Sequence, residues 1–134
     1  MKTFKTAKIR GTFKLIGASK ELQAAIMTLK PGGASSDDLE NEHATSEQWL
    51  LVLSGIGAAI VRKLGGRNRR VKLTEGDLVL IEKGEFHQIK NTGKRLFRSI
   101  NFYAPPAYSA KGPKASPLGN LAAELVSAAK DRLS

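Results

Sequence analysis

The chain has 134 residues, 41% of them hydrophobic, no cysteine, and 22 Lys and Arg against 12 Asp and Glu for a net charge of +10. That length supports one domain with a real core rather than two. Without thiols there are no disulfides and no thiolate chemistry, so any metal must be held by nitrogen and oxygen ligands.

The N-terminal stretch MKTFKTAKIRGTFKLIGASK scatters basic residues and has no apolar run long enough for a signal-peptide core or a membrane span. The expectation is a cytoplasmic protein with no membrane partner. From there the periodicity is that of strands, with short apolar runs separated by Gly, Pro and Asn. In chain order the expected strands are Phe4 to Ile9, Thr12 to Ile16, Leu22 to Leu29, Trp49 to Leu53, Ala58 to Leu64, Arg70 to Leu73, Leu78 to Ile81, His87 to Lys90 and Leu96 to Tyr103. Pro31-Gly32-Gly33, Ser54-Gly55, Gly65-Gly66, Glu75-Gly76 and Thr92-Gly93 mark the reversals. After Tyr103, Ala104-Pro105-Pro106 cannot extend a ladder, and Tyr108 to Pro117 reads as a linker. From Asn120 to Leu133 the pattern turns helical, with Leu121, Leu125 and Leu133 near one face and Asn120 placed to cap it. The expected organisation is an all-β barrel over 1–106, its core motifs in 31–106, then a linker and C-terminal α-helix over 107–134.

A net charge of +10 calls for a test of nucleic-acid binding. The basic residues spread from Lys2 to Arg132 with one local cluster at Arg67, Arg69 and Arg70, and aromatic content is only 6%, so no nucleic-acid partner is expected. The glycine turn that leads into Arg67 to Arg70 reads as a solvated hairpin tip. Acidic residues do gather, with Asp37, Asp38, Glu40, Glu42 and Glu47 around His43, a local patch that favours a cation.

Chemistry concentrates at the only two histidines, His43 and His87. His87 belongs to the run Gly76, Glu82, Lys83, Gly84, His87, Asn91, with a weaker echo at Asn41, His43 and Gln48. So placed, the two histidines suggest a metal pocket. If Gln48 faces inward, strand alternation brings Leu50 and Val52 with it and makes a pocket with a polar end and an apolar wall. A one-residue bulge would deliver Glu47 instead, restoring a carboxylate ligand. Trp49 then falls on the opposite parity, as an interlayer or dimer contact. Gly76 and Gly84 read as backbone requirements, and Asn91 suits the turn before Gly93. A hairpin through Asn91 to Lys94 would set Arg98 opposite His87, where its guanidinium could grip an anionic substrate.

With these residues in place, the segment from Pro31 to Pro106 resembles the cupin superfamily, the small single-domain cupins in particular. Their second motif, Gly-x5-Pro-x-Gly-x2-His-x3-Asn, is met by Gly76, Gly84, His87 and Asn91, with Glu82 where proline is usual. Their first motif usually runs His-x-His, three or four residues, Glu, six residues, Gly. Counted back from Gly55, Gln48 takes the glutamate position, His43 the second histidine and Asn41 the first. The resemblance implies a double-stranded β-helix, the jelly-roll barrel of two packed antiparallel sheets. It also implies a divalent transition metal, Fe, Mn, Ni or Zn, on His43, His87, Gln48 and Asn41, with Glu47 as the alternative ligand. The implied activity is that of a dioxygenase, isomerase or lyase on a small organic substrate, anionic or sugar-like. Replacement of two ligands by amides keeps open a non-catalytic, metal-free cupin that binds a sugar or other small metabolite. Exposed edge strands at the N-terminus predict a homodimer.

Overall fold

The computed structural model describes residues 1–41, 43–109 and 112–113, so Glu42 and the expected C-terminal helix lie outside the described residues. Eight strands follow in chain order: β1 (Phe13–Ala18), β2 (Gln23–Leu29), β3 (Glu47–Ser54), β4 (Ile56–Arg62), β5 (Arg69–Thr74), β6 (Leu78–Ile81), β7 (Phe86–Asn91) and β8 (Phe97–Ala104). Two short strands, β9 (Tyr108–Ser109) and β10 (Gly112–Pro113), pair with each other. The order β1-β2-β8-β3-β6 makes one sheet and β5-β4-β7 a second. Each pairing is antiparallel. This is the jelly-roll solution, two sheets facing across one core. Among the described residues no helix is long and apolar enough to cross a membrane.

Alternation builds the core. Leu50 and Val52 of β3, Ala59 and Val61 of β4, Leu73 of β5, Ile81, Ile89 and Phe97 turn inward and form one buried cluster with Met27 and Leu29. Phe97 is completely buried and packs where β4 must come close. A Cβ on Gly57 would stand 2.5 Å from the Lys90 carbonyl oxygen and 2.8 Å from the Phe97 ring, so only glycine lets the two elements meet. Two residues earlier, Gly55 turns β3 into β4 at φ 91°, in the left-handed region that glycine adopts freely.

Two expectations fail for identifiable reasons. Phe4 to Ile9 forms no strand: Phe4 and Ile9 are its only large apolar residues, too few to bury a face, and its carbonyls find other donors. The Arg98 guanidinium donates through Nη2 to the Thr6 and Ile9 carbonyls at 3.1 and 3.2 Å, tying this segment to the outer side of β8. The linker reading also fails at its start, because Ala107 and Tyr108 are fastened to Gln23. Gln23 Oε1 accepts from both backbone N–H groups at 3.1 and 2.9 Å, and Gln23 Nε2 donates to the Tyr108 carbonyl at 2.6 Å.

Gly57→Ala is expected to destabilise the fold by about 1–3 kcal/mol through overpacking against Phe97 and the Lys90 carbonyl. Gly32→Ala, where a Cβ meets nothing within 4 Å, has only its positive φ to oppose it. Urea unfolding of both variants checks this, and a Gly57→Ala midpoint equal to wild type would contradict it.

Candidate functional site

Register decides which side chains enter the barrel. Gln48 pairs with Tyr103 on one side and Ile81 on the other, sharing the inner face with Leu50 and Val52, and is buried. No bulge intervenes at its position. Glu47 lies on the outer parity, where its Oε1 accepts from Trp49 Nε1 at 3.2 Å, so it does not take the place of Gln48. On β7, His87 pairs with Val61 and turns inward. His43 arrives from the turn before β3, closed by the Ser46 N–H donating to the His43 carbonyl at 2.9 Å. Ser46 Oγ in turn donates to the Pro105 carbonyl at 2.6 Å, anchoring that turn to the chain beyond β8.

The two imidazoles meet there, Nε2 to Nε2 at 3.3 Å. His43 Nδ1 faces the Ser46 carbonyl at 3.5 Å. An Nδ1–H on His43 leaves its Nε2 bare to accept from His87 Nε2–H, and His87 Nδ1 is then the bare nitrogen. That atom is buried with no hydrogen-bond partner among the described residues. Gln48 Nε2 donates to Asn101 Oδ1 at 3.0 Å, and Asn101 Nδ2 to Ser99 Oγ at 3.1 Å, a wholly buried chain of amide and hydroxyl. It leaves Gln48 Oε1 without a partner, buried at the same end of the barrel. Buried polar atoms are ordinarily satisfied, so two orphans beside a histidine pair are the chemical signature of this region.

His43, His87 and Gln48 line a cavity of about 930 Å³ that runs out past Tyr103, Tyr108 and the length of β1. At the side of the cavity Tyr103 packs edge to face with both Phe13 and Tyr108, the latter with ring centroids 4.9 Å apart, and Phe13 and Tyr108 are tilted against each other. Burial holds His43 below the usual histidine range, against the weaker pull of the Ser46 carbonyl and Gln48. Burial, and then the His43 ring beside it, pushes His87 down to about 3. Both rings are neutral near pH 7, as ligand or hydrogen-bonding imidazoles must be.

Asn41 is buried but does not line the cavity. Its neighbour Glu40 does, because Glu40 and His87 exchange backbone hydrogen bonds at 3.0 and 2.9 Å as a directly opposed antiparallel pair, which sets both side chains on one face. Among the described residues no three His, Cys, Asp or Glu side chains come together as a metal-ligand group. The expected hairpin from His87 to Arg98 does not form: β7 pairs with β4, and β8 with β2 and β3. Arg98 therefore sits outside the cavity, on the parity opposite Ser99 and Asn101, bound to the N-terminal segment. Tyr108 and Glu40 are cavity residues that the sequence reading passed over. A lone tyrosine amid small residues was the available signal for the first, and one step of parity hid the second.

The two antiparallel sheets and the spacing of the two histidines are those of one family. Residues 25–103 match the Cupin domain family, and the chain belongs to it. In sequence it is 36% identical over 76 residues to a probable oxalate decarboxylase of Arthroderma benhamiae, covering 57% of this chain and 18% of that one. A second oxalate decarboxylase of the same organism is 32% identical over 89 residues, 63% of this chain and 20% of the other. The chain thus spans about a fifth of the length of these relatives. Among solved structures, a Bacillus halodurans protein superposes with a TM-score of 0.68 at 25% identity, covering 76% of both chains. A predicted oxalate decarboxylase from Thermotoga maritima gives 0.54 at 25% identity, over 65% of this chain and 69% of the other. An RmlC-like cupin with a double-stranded β-helix from Methanocaldococcus jannaschii gives 0.64 at 15% identity, over 78% and 91%, and shares the fold.

The neutral histidines carry a pH consequence. Both are held below 6.5, their unfolded value, so the unfolded chain binds more protons as pH falls beneath 6.5. Stability is therefore full above that pH and declines toward the folded His87 value of about 3, by about 1.4 kcal/mol per pH unit for each histidine at most. Thermal melts in chelator from pH 8 to pH 4 are expected to fall more steeply for wild type than for His87→Gln, and identical slopes would refute the assignment.

Proposed function

We propose that this cupin holds a divalent transition metal on His43, His87 and the Gln48 amide oxygen, and that the metal anchors a small oxygen-bearing organic ligand in the cavity. The observation that carries the reading is the convergence of the two Nε2 atoms beside an unpartnered Gln48 Oε1. Two imidazole nitrogens each about 2.0–2.1 Å from one ion stand about 3.3 Å apart at a tetrahedral angle, and 3.3 Å is the separation here. The residues present thus fit a metal, though a set of neutral donors binds it more weakly than one with a carboxylate. Imidazole suits Ni, Zn or Fe better than Mn, which prefers oxygen and charge.

When bound, the metal supplies a Lewis acid that polarises a ligand oxygen. The chain's own residues do the rest. Moving the His87 proton from Nε2 to Nδ1 frees both Nε2 lone pairs. The Ser46 carbonyl keeps His43 in its Nδ1–H form, and Asn101 keeps Gln48 turned so that its oxygen faces the histidines. Leu50, Val52 and Ile89 behind them are buried and exclude water, while Tyr103 and Tyr108 form the side the ligand passes. Likeness to oxalate decarboxylases supports a ligand bearing carboxylate or hydroxyl oxygens. Glu40 at the cavity wall, and Arg98 outside it, argue for hydroxyl-rich or singly charged ligands over a dianion.

Titration calorimetry with Zn or Ni on protein first stripped by chelator is expected to show one site. His43→Ala/His87→Ala should abolish it, and Asn101→Ala should weaken it roughly 10-fold by releasing Gln48. Failure to take up any of Fe, Ni, Zn or Mn would overturn the reading and leave the metal-free binder of a sugar or other metabolite.

A homodimer belongs to the same proposal. Trp49 sits in register with Leu80 on one side and Phe102 on the other, on the outer face of the larger sheet, and remains 37% exposed. Light scattering at micromolar concentration is expected to give a dimer mass that Trp49→Glu reduces to the monomer's.

A further inference from the structure

The smaller sheet has a chemistry that its sequence positions conceal. Strands β4, β5 and β7 carry Arg62, Arg69, Arg70, Lys72 and Lys90 and not one Asp or Glu. Register then sorts them. Ala58 pairs with Lys72 on one side and Lys90 on the other, Ile60 with Arg70 and Gln88, and Arg62 with Phe86. These residues alternate with Ala59, Val61, Ile89 and His87, which face the barrel interior. Arg62, Arg70, Lys72 and Lys90 therefore project from the same outer face, spread over all three strands and three successive rows, with Lys72 and Lys90 sharing a row.

Around them the positive charge continues. The turn joining β4 to β5 adds Lys63 and Arg67, of which Lys63 forms an ion pair to Glu82 at 3.7 Å. Arg62 lies over the Phe86 ring at 5.3 Å, which fixes its direction without neutralising it. Of the nearby acids, Glu40 lines the cavity, while the Ser36 carbonyl, next to Asp37 and Asp38, accepts from Gln88 Nε2 at 2.7 Å and brings that segment against the β7 side of this face.

We infer that the outer face of the β5-β4-β7 sheet is a docking surface for the phosphate backbone of a nucleic-acid duplex. Charge complementarity identifies the occupant: four cations spread across one sheet face that carries no acid on its strands match the closely spaced phosphates of a duplex, and arginine binds phosphate oxygens bidentately. Between the cations lie Ala58, Ile60 and Gln88, buried or half-buried, which offer no apolar wedge for a bilayer. The only aromatic ring on the face, Phe86, is covered by Arg62, so the surface has no platform on which unpaired bases could stack. Contacts of this kind read charge and shape, not sequence. The surface is separate from the histidine cavity, whose lining includes none of these four cations.

The test is fluorescence anisotropy of a labelled mixed-sequence DNA duplex of about 20 base pairs, titrated with the full chain at several salt concentrations. With four phosphate contacts, log K should fall against log salt with a slope of about −3.6. Arg70→Glu/Lys72→Glu should reduce affinity at least 10-fold and make the slope shallower by about 2. The neutral pair Arg70→Gln/Lys72→Gln should move both in the same direction by less, with circular dichroism confirming that both variants are folded. His43→Ala/His87→Ala should leave duplex binding unchanged, which keeps this result independent of the metal proposal. No binding at 50 mM salt, binding that the face variants retain in full, or binding to phosphatidylserine vesicles but not to the duplex would each overturn the inference.

Discussion

Antiparallel register is the constraint on which this protein depends. Because side chains alternate strictly across a strand, the pairing of β3 with β8 and β6 sends Gln48, Leu50 and Val52 inward as a set, and Trp49 and Glu47 outward as another. A slip of one residue would put a carboxylate at the polar end of the cavity and expel the core leucine and valine. The hydrophobic cost of that slip enforces the amide. The chemistry of the site is thus dictated by apolar residues that take no part in it.

The same enforcement explains how the barrel tolerates two imidazoles, two amides and a serine in its interior. Desolvation opposes charge on both histidines, and they remain neutral rather than leaving the core. Asn101, itself donating to Ser99, accepts from Gln48 Nε2, and Gln48 Oε1 is left open together with His87 Nδ1. An unsatisfied buried acceptor costs about 1–3 kcal/mol.

Membership of the cupin family accounts for the barrel and the place of the histidines, while the ligand set separates this chain from the pattern its family usually shows. Where that pattern has His and Glu, this chain has Asn41, which does not line the cavity, and Gln48. The strands of the smaller sheet hold five cations and no acid. The two faces of one small sheet therefore carry unrelated properties, His87 and Ile89 within, and Arg62, Arg70, Lys72 and Lys90 without. Alternation makes such a division easy, since neighbouring positions on a strand never share a surface.

Sequence alone determined the all-β class, most strand positions, and the identity of His43, His87 and Gln48 as inward candidates, because period-two apolar runs, glycine turns and fixed motif spacing are local signals. What it could not determine were pairings between strands far apart in the chain. Arg98 was expected opposite His87 because β7 and β8 are consecutive, yet they belong to different sheets. Asn41 was expected at the site because it takes the first-histidine position of the motif, yet the pairing of Glu40 with His87 brings Glu40 to the cavity instead. Cations that look scattered along the chain become one surface only when β5, β4 and β7 lie side by side. Each of these outcomes depends on long-range hydrogen-bond partners chosen by the burial of the whole core, and only the tertiary structure makes that choice.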